Sequence, residues 1–412
     1  MSPIIIIGAG HAGITLIRQL RMKDKYLPII LISQDTVHHY YKPSLSKALS
    51  LGKSPHNLVM STMSELTEEL NIKIFQNTKV TSVFSNKQKI IIQGLDQSPE
   101  ILPYQSLVFA VGARPIDLNI AGDAQQKIHS VNNLSDYQNF RKSIQNKKRV
   151  LVIGAGFVGC EFASDLSLAG FKVDVIDRGS WPLQKSLPEP LGKAIAQSME
   201  KTTVKWHFND QVISVNQKIT ANNKPVLEVS LQGGQVIETD AVLSAVGIKP
   251  CISLAEKSGI HTNKGIVVND FSQTNLANIY ALGDCVEYQN TLLPFIAPAT
   301  SMAKSLASTL LAKPSIINIP SLSVAVKIAT CPTIICPPVS QAGQWLVSGD
   351  NMDWQAKFID ENGHTLGFAL TGKSTANKHS FTQECLAPFT SQNNGLSHQV
   401  DNIPKKRTAI TV

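Results

Sequence analysis

The chain has 412 residues, 43% hydrophobic and 17% charged, a length that one hydrophobic core does not organise and a composition that excludes disordered or disulfide-stapled classes. Its net charge of +8 is scattered, with short clusters only at Lys147-Lys148-Arg149 and Lys405-Lys406-Arg407; this lacks the basic, aromatic-interleaved patch of a nucleic-acid binder, but a positive field suits an acidic protein partner. The six cysteines (Cys160, Cys251, Cys285, Cys331, Cys336 and Cys385) contain no C-x-x-C and read as free, mostly buried thiols of a cytoplasmic protein, and no apolar run approaches the roughly 18 residues of a membrane span.

In chain order, the apolar run Ile4 to Ile7 breaks into Gly8-Ala9-Gly10-His11-Ala12-Gly13, and Ile14 to Arg21 continue with helix-compatible residues. This is strand, tight turn, helix, and Ile29 to Ile32 supply the next parallel strand. In Gly8-x-Gly10-x-x-Gly13 the first glycine permits the turn and the second admits a pyrophosphate. The third lets helix and strand pack closely, so the helix N-terminus faces the phosphates. The second strand ends in Ser33-Gln34-Asp35, which makes Gln34 and Asp35 candidate ribose ligands, with a turn role still open for Asp35.

Leu107 to Ala110 form an apolar strand that ends in Val111-Gly112-Ala113-Arg114-Pro115. The opening pattern then returns about 146 residues after its first occurrence. Val150 to Ile153 lead into Gly154-Ala155-Gly156-Phe157-Val158-Gly159, a helix-compatible stretch runs through Leu168, Gly170 stops it, and Val173 to Ile176 end in Asp177. A repeated module implies two dinucleotides. A carboxylate at Asp177 favours NADH by bonding the ribose 2′-hydroxyl and repelling a 2′-phosphate; Arg178 beside it acts in the opposite sense, and a cap or turn role for Asp177 stays open.

Ala241 to Pro250 repeat the glycine-ended exit of the first module. The expected fold is therefore α/β, with two Rossmann-like dinucleotide-binding domains, the second inserted in the first. A first domain of 1–113 and 248–320 receives an inserted one of 114–247. A small α+β domain follows at 321–390, and 391–412 read as a mobile polar tail.

The segment Thr274 to Asp284 closes on Leu282-Gly283-Asp284. Together with the two glycine turns it resembles the pyridine nucleotide–disulfide oxidoreductase superfamily over nearly the whole chain. The resemblance implies FAD in the first module, NAD(P)H in the second, and Asp284 on the flavin ribityl chain. Within the superfamily the likeness is greatest to the rubredoxin reductases. It is carried by Tyr41-Lys42-Pro43-Ser44-Leu45-Ser46, Gly156 to Ala163, Leu292-Leu293-Pro294, Val324 to Lys327 and Leu366 to Gly372.

That likeness implies an FAD site formed by Gly8, Ala9, Gly10, His11, Ala12 and Gly13 with Gln34, Asp35, Lys42, Val80, Glu161, Asp284, Ile296 and Lys327, where Val80 and Ile296 act through backbone or packing. It implies an NAD site at Gly154, Gly156, Gly159 and Asp177. Hydride arriving at flavin N5 leaves negative charge at N1 and the C2 carbonyl, so Lys42, Lys327 and a helix expected after Pro298 are candidates to stabilise it. Glu161, one turn into its helix, would pair with a lysine and orient the nicotinamide. Surface roles stay open for Glu161 and both lysines, as a phosphate contact or a helix-surface role does for Lys47. His11 reads as a spacer, because a flavin receiving hydride needs no protein acid or base there.

Lys42 to Leu45 contain no cysteine, so electrons would leave the flavin directly, and Cys331 and Cys336, despite C-x₄-C spacing, read as core thiols. The resemblance thus implies an FAD-dependent NADH oxidoreductase with no catalytic side chain and no metal. It would deliver electrons to a one-iron rubredoxin and supply a monooxygenase such as an alkane hydroxylase. Two rivals stand: a ferredoxin reductase for an oxygenase, and a non-catalytic redox sensor holding FAD.

Overall fold

The computed structural model describes residues 2–95, 97–338 and 342–386; the expected tail, 391–412, lies outside the described residues. Four consecutive isoleucines form the strand Ile4–Ile7, buried at every position. An unbroken apolar run is what a strand covered on both faces requires. It sits at the centre of a five-stranded sheet in the order Ile279–Ala281, Ser106–Phe109, Ile4–Ile7, Ile29–Ile32, Lys73–Phe75, and all these pairings are parallel. The helices His11–Lys23 and Ile296–Leu310 pack on each other and join the core of this sheet.

A second parallel five-stranded sheet repeats the plan, in the order Ile128–Ser130, Ala241–Ser244, Arg149–Ile153, Lys172–Asp177, Val204–Phe208. Its glycine turn leads into the helix Phe157–Leu168. The repetition reaches further than the motifs. Each module carries a three-stranded antiparallel sheet, Thr78–Phe84 with Lys89–Gly94 and Glu100–Pro103 in one, Val212–Ile219 with Pro225–Leu231 and Val236–Thr239 in the other.

The chain passes from the first sheet to the second through Ala113–Pro115 and comes back through Ile248–Pro250. These two strands pair antiparallel, Ala113 opposite Pro250 and Pro115 opposite Ile248. A third, antiparallel sheet has the order Val324–Val326, Thr333–Cys336, Thr365–Thr371, Asp353–Ile359, Gln344–Asp350, and the helix Lys378–Glu384 follows it. Val326, Ile328, Cys331 and Ile335 of this unit share one apolar cluster with Leu45 and Ala48 and with Cys160 and Ala163 of the second module's helix. Three stretches of chain far apart in sequence are thereby packed around one seam.

One expected boundary is corrected. The helix anticipated after Pro298 starts at Ile296 and carries Pro298 in its first turn, where an absent N–H costs nothing because the first N–H groups of a helix have no intrahelical acceptor. Among the described residues no helix is long and apolar enough to cross a membrane.

Candidate dinucleotide sites

The two glycine turns are built alike. Gly8 has φ +114° and Gly154 φ +104°, a region that favours glycine. A Cβ on Gly8 would run into the Ala110 carbonyl oxygen, and one on Gly154 would stand 2.7 Å from that of Ala245. A Cβ on Gly13 or Gly159 would strike the carbonyl of Gly8 or Gly154, whereas Gly10 and Gly156 have nothing within 4 Å of theirs. Both following helices lack a side-chain cap and an acidic residue in the first turn. Open space in front of uncapped helix N–H groups is the arrangement that accepts a phosphate.

Around the first turn, Ala9 and Ala12 pack against the core, and a Cβ on Gly283 would come within 2.7 Å of the Ala12 methyl. Gly283, at φ +81°, turns the chain after the strand Ile279–Ala281 so that Asp284 reaches the same space. Among the described residues the Asp284 carboxylate has no hydrogen-bond donor from the protein; burial raises its pKa, and Lys42 and His11 oppose that rise. A half-buried carboxylate without a protein donor is a fitting acceptor for the hydroxyls of a polyol such as a flavin's ribityl chain.

Lys42 Nζ donates to Asn132 Oδ1 at 2.8 Å. Burial lowers its pKa against the pull of Asp284, Asp136 and Cys251. Asn132 is itself fixed, because its Nδ2 donates to the Ala113 carbonyl at 2.8 Å. His11 Nε2 lies 3.0 Å from Thr300 Oγ1, and that hydroxyl gives its proton to the Ile296 carbonyl at 2.8 Å. His11 therefore donates from Nε2, and burial holds its pKa below the usual histidine value despite Asp284. More than a spacer in the turn, its ring joins the first helix to the helix that begins at Ile296. Val80 is buried beside a bulge in the strand Thr78–Phe84, and Gln34 and Asp35 are exposed just past the strand Ile29–Ile32.

Glu161, buried in the helix Phe157–Leu168, meets three groups. Lys327 Nζ stands 2.5 Å from Oε2, Ser46 Oγ donates to the same oxygen at 2.6 Å, and the Lys327 N–H donates to Oε1 at 3.1 Å. One turn on, Asp165 accepts from the N–H groups of Leu49 at 3.0 Å and Ser50 at 2.8 Å. Two acidic residues on one helical face thus hold the segment that carries Lys42. A cavity of about 320 Å³ adjoins this latch, bordered by Ser46, Lys47, Asp165, Lys327 and Thr333.

In the second module, Asp177 accepts from the Ala155 N–H and the Gly179 N–H, each at 2.6 Å. The carboxylate anticipated as a ribose ligand also braces the glycine turn. Sequence reading missed Ser46, Asn132, Asp165 and Thr300. The only local signal was the acid at i+4 from Glu161, since partners contributed by another module leave no periodic trace.

A family model described as pyridine nucleotide-disulphide oxidoreductase matches residues 2–303, and one described as the rubredoxin binding C-terminal domain matches residues 316–385. The chain is 37% identical to the rubredoxin-NAD(+) reductase of Acinetobacter baylyi over 391 residues, which cover 94% of this chain and 98% of that protein. It is 34% identical to the rubredoxin-NAD(+) reductase of Alcanivorax borkumensis over 385 residues, 93% and 98% of the two chains. In fold it is similar to putidaredoxin reductase in its covalent complex with putidaredoxin, with a TM-score of 0.82, 23% identity and 93% of each chain covered.

Proposed function

The chain belongs to the pyridine nucleotide–disulphide oxidoreductase family, and from that membership we propose that it takes electrons from NADH through bound FAD and delivers them to a one-iron rubredoxin. The observation that carries this reading is the match of residues 316–385 to a rubredoxin-binding domain, because that domain's Lys327 is paired directly with Glu161 of the second dinucleotide module. The two named relatives, each covered over 98% of its length, support it. The domain reading of 1–113 with 248–320, 114–247 and 321–390 is supported by the neck of Ala113–Pro115 with Ile248–Pro250. A cytoplasmic location is supported by the six free thiols.

When bound, FAD supplies the conversion of a two-electron donor into a one-electron supply. The residues of the chain bind and orient. In this reading the Gly8–Gly13 turn would hold the FAD pyrophosphate, Asp284 would accept ribityl hydroxyls, and Lys42, held by Asn132, would supply positive charge to the reduced flavin. Val80 and Ile296 wall the site by packing, and Gln34 and Asp35 lie at the adenosine end. Gly154, Gly156, Gly159 and Asp177 receive NADH. Glu161 and Lys327 neutralise each other at the seam between the second module and the C-terminal unit, where they would orient a bound nicotinamide. The Lys42–Lys47 segment has no cysteine, so no thiol relay stands between flavin and acceptor.

Anaerobic stopped-flow absorbance tests this. NADH is expected to bleach the yellow protein rapidly and oxidised rubredoxin to restore it rapidly. Reoxidation by a [2Fe–2S] ferredoxin but not by rubredoxin would transfer the protein to the oxygenase-reductase class. Failure of NADH to bleach the flavin would remove the enzymatic reading.

A further inference from the structure

Six cysteines are present, all as free thiols, and their spacing along the chain misleads about which of them meet. Cys331 and Cys336 have C-x₄-C spacing, yet Cys331 belongs to the apolar cluster on the seam while Cys336 belongs to a separate small cluster with Phe368, Leu370, Phe381 and Cys385. The neighbour of Cys336 is Cys385, 49 residues away in sequence, with the two sulfurs 3.6 Å apart.

Cys336 is the last residue of the strand Thr333–Cys336 and pairs with Phe368. Cys385 caps the helix Lys378–Glu384, its N–H bonded to the Phe381 carbonyl, and its own carbonyl accepts from Ser321 Oγ at 2.8 Å. Both ends of the pair are therefore held. We propose that Cys336 and Cys385 are a redox pair that closes into a reversible disulfide, tying the helix Lys378–Glu384 to the sheet of the rubredoxin-binding domain.

The sulfurs are already in van der Waals contact, so bond formation needs a shift well within what a seven-residue helix at the end of a domain allows. That helix is also attached by Phe381, edge-on at 5.6 Å to Phe368, by the Lys357–Glu384 ion pair at 2.7 Å, by Thr365 Oγ1 donating to Glu384 at 3.3 Å and, just past it, by the Leu386 N–H on the Thr365 carbonyl. Both sulfurs are buried, and a thiol hydrogen bond joins them, so one is the donor and the other the acceptor of a contact that already aligns them for exchange.

The oxidant is a peroxide. One sulfur of the pair, as its thiolate, takes one peroxide oxygen to become a sulfenic acid, and the O–O bond breaks to release water or an alcohol. The other sulfur then attacks it; the S–S bond forms as the S–O bond breaks, and a water leaves. Two thiols lose two electrons and two protons, which the peroxide receives. A dithiol reductant reverses the change.

The test treats the full-length holoprotein with hydrogen peroxide, alkylates remaining thiols, digests without reductant and maps the peptides by mass. Expected is one cross-linked peptide pair containing Cys336 and Cys385, lighter by two hydrogens than the sum of its parts, with Cys160, Cys251, Cys285 and Cys331 alkylated. Dithiothreitol should abolish it. The bond closes a loop that constrains the unfolded chain, so the oxidised protein should melt at a higher urea concentration than the reduced one, and Cys385→Ser should erase the difference while NADH reduction of a dye continues. Finding all six thiols alkylated after peroxide, or Cys336 linked to Cys331, would overturn the assignment, and because the mapping uses the unaltered chain, a variant that folds poorly does not blunt it.

Discussion

Lys327 Nζ and Glu161 Oε2 stand 2.5 Å apart, joining the C-terminal unit to the helix Phe157–Leu168 of the second module, and Ser46 adds the first module to the same carboxylate. Glu161→Gln removes the charge and keeps one acceptor, so Lys327, a quarter exposed, can turn toward water. The expected loss is about 1–3 kcal/mol of stability, read as a lower urea midpoint, together with slower flavin reduction by NADH. Lys327→Met should cost more, because it strands a buried carboxylate. Wild-type midpoints in both variants would show that the latch contributes nothing.

Lys42 is aimed by Asn132. Lys42→Met removes the cation facing Asp284 and should slow flavin reduction by on the order of 10²-fold, the scale for deleting one preorganised donor. Asn132→Ala leaves the charge but frees the side chain, and a smaller drop is expected. Stopped-flow rates at saturating NADH decide the matter; equal rates for Lys42→Met and the parent chain would exclude Lys42 from the flavin edge.

His11 carries a pH signature. Burial depresses its folded pKa below 6.5, so between that lower value and 6.5 the unfolded chain binds a proton that the folded chain refuses. Stability from this group is therefore present above the unfolded pKa and is lost as pH falls through 6.5 toward the folded pKa. His39 and His129 shift in the same direction. Urea midpoints measured from pH 7.5 down to 5.5 should fall, and His11→Asn should flatten part of the decline. An unchanged profile in that variant would mean that His11 protonates freely in the fold.

Asp177 should exclude NADPH. Replacing it with asparagine removes the repulsion of a 2′-phosphate while keeping an acceptor for the Ala155 or Gly179 N–H. The NADH-over-NADPH ratio of kcat/KM is expected to fall about tenfold, corresponding to about 1.4 kcal/mol. Should the ratio stay constant, the carboxylate serves the turn alone and Arg178 or its neighbours set the preference.

The sequence by itself determined the features that depend on short-range sterics. Gly8, Gly13, Gly154 and Gly159 are needed because any Cβ there meets backbone a few atoms away or across one strand, and the runs Ile4–Ile7 and Arg149–Ile153 declare buried parallel strands by their lack of alternation. The tertiary structure alone decided which distant groups meet. Glu161 with Lys327, Lys42 with Asn132, and Cys336 with Cys385 rather than Cys331 are joined across modules or across a sheet. No period or spacing encodes such pairs, because they are set by how separately folded faces come to share a seam, whereas a glycine turn is complete within the few residues that form it.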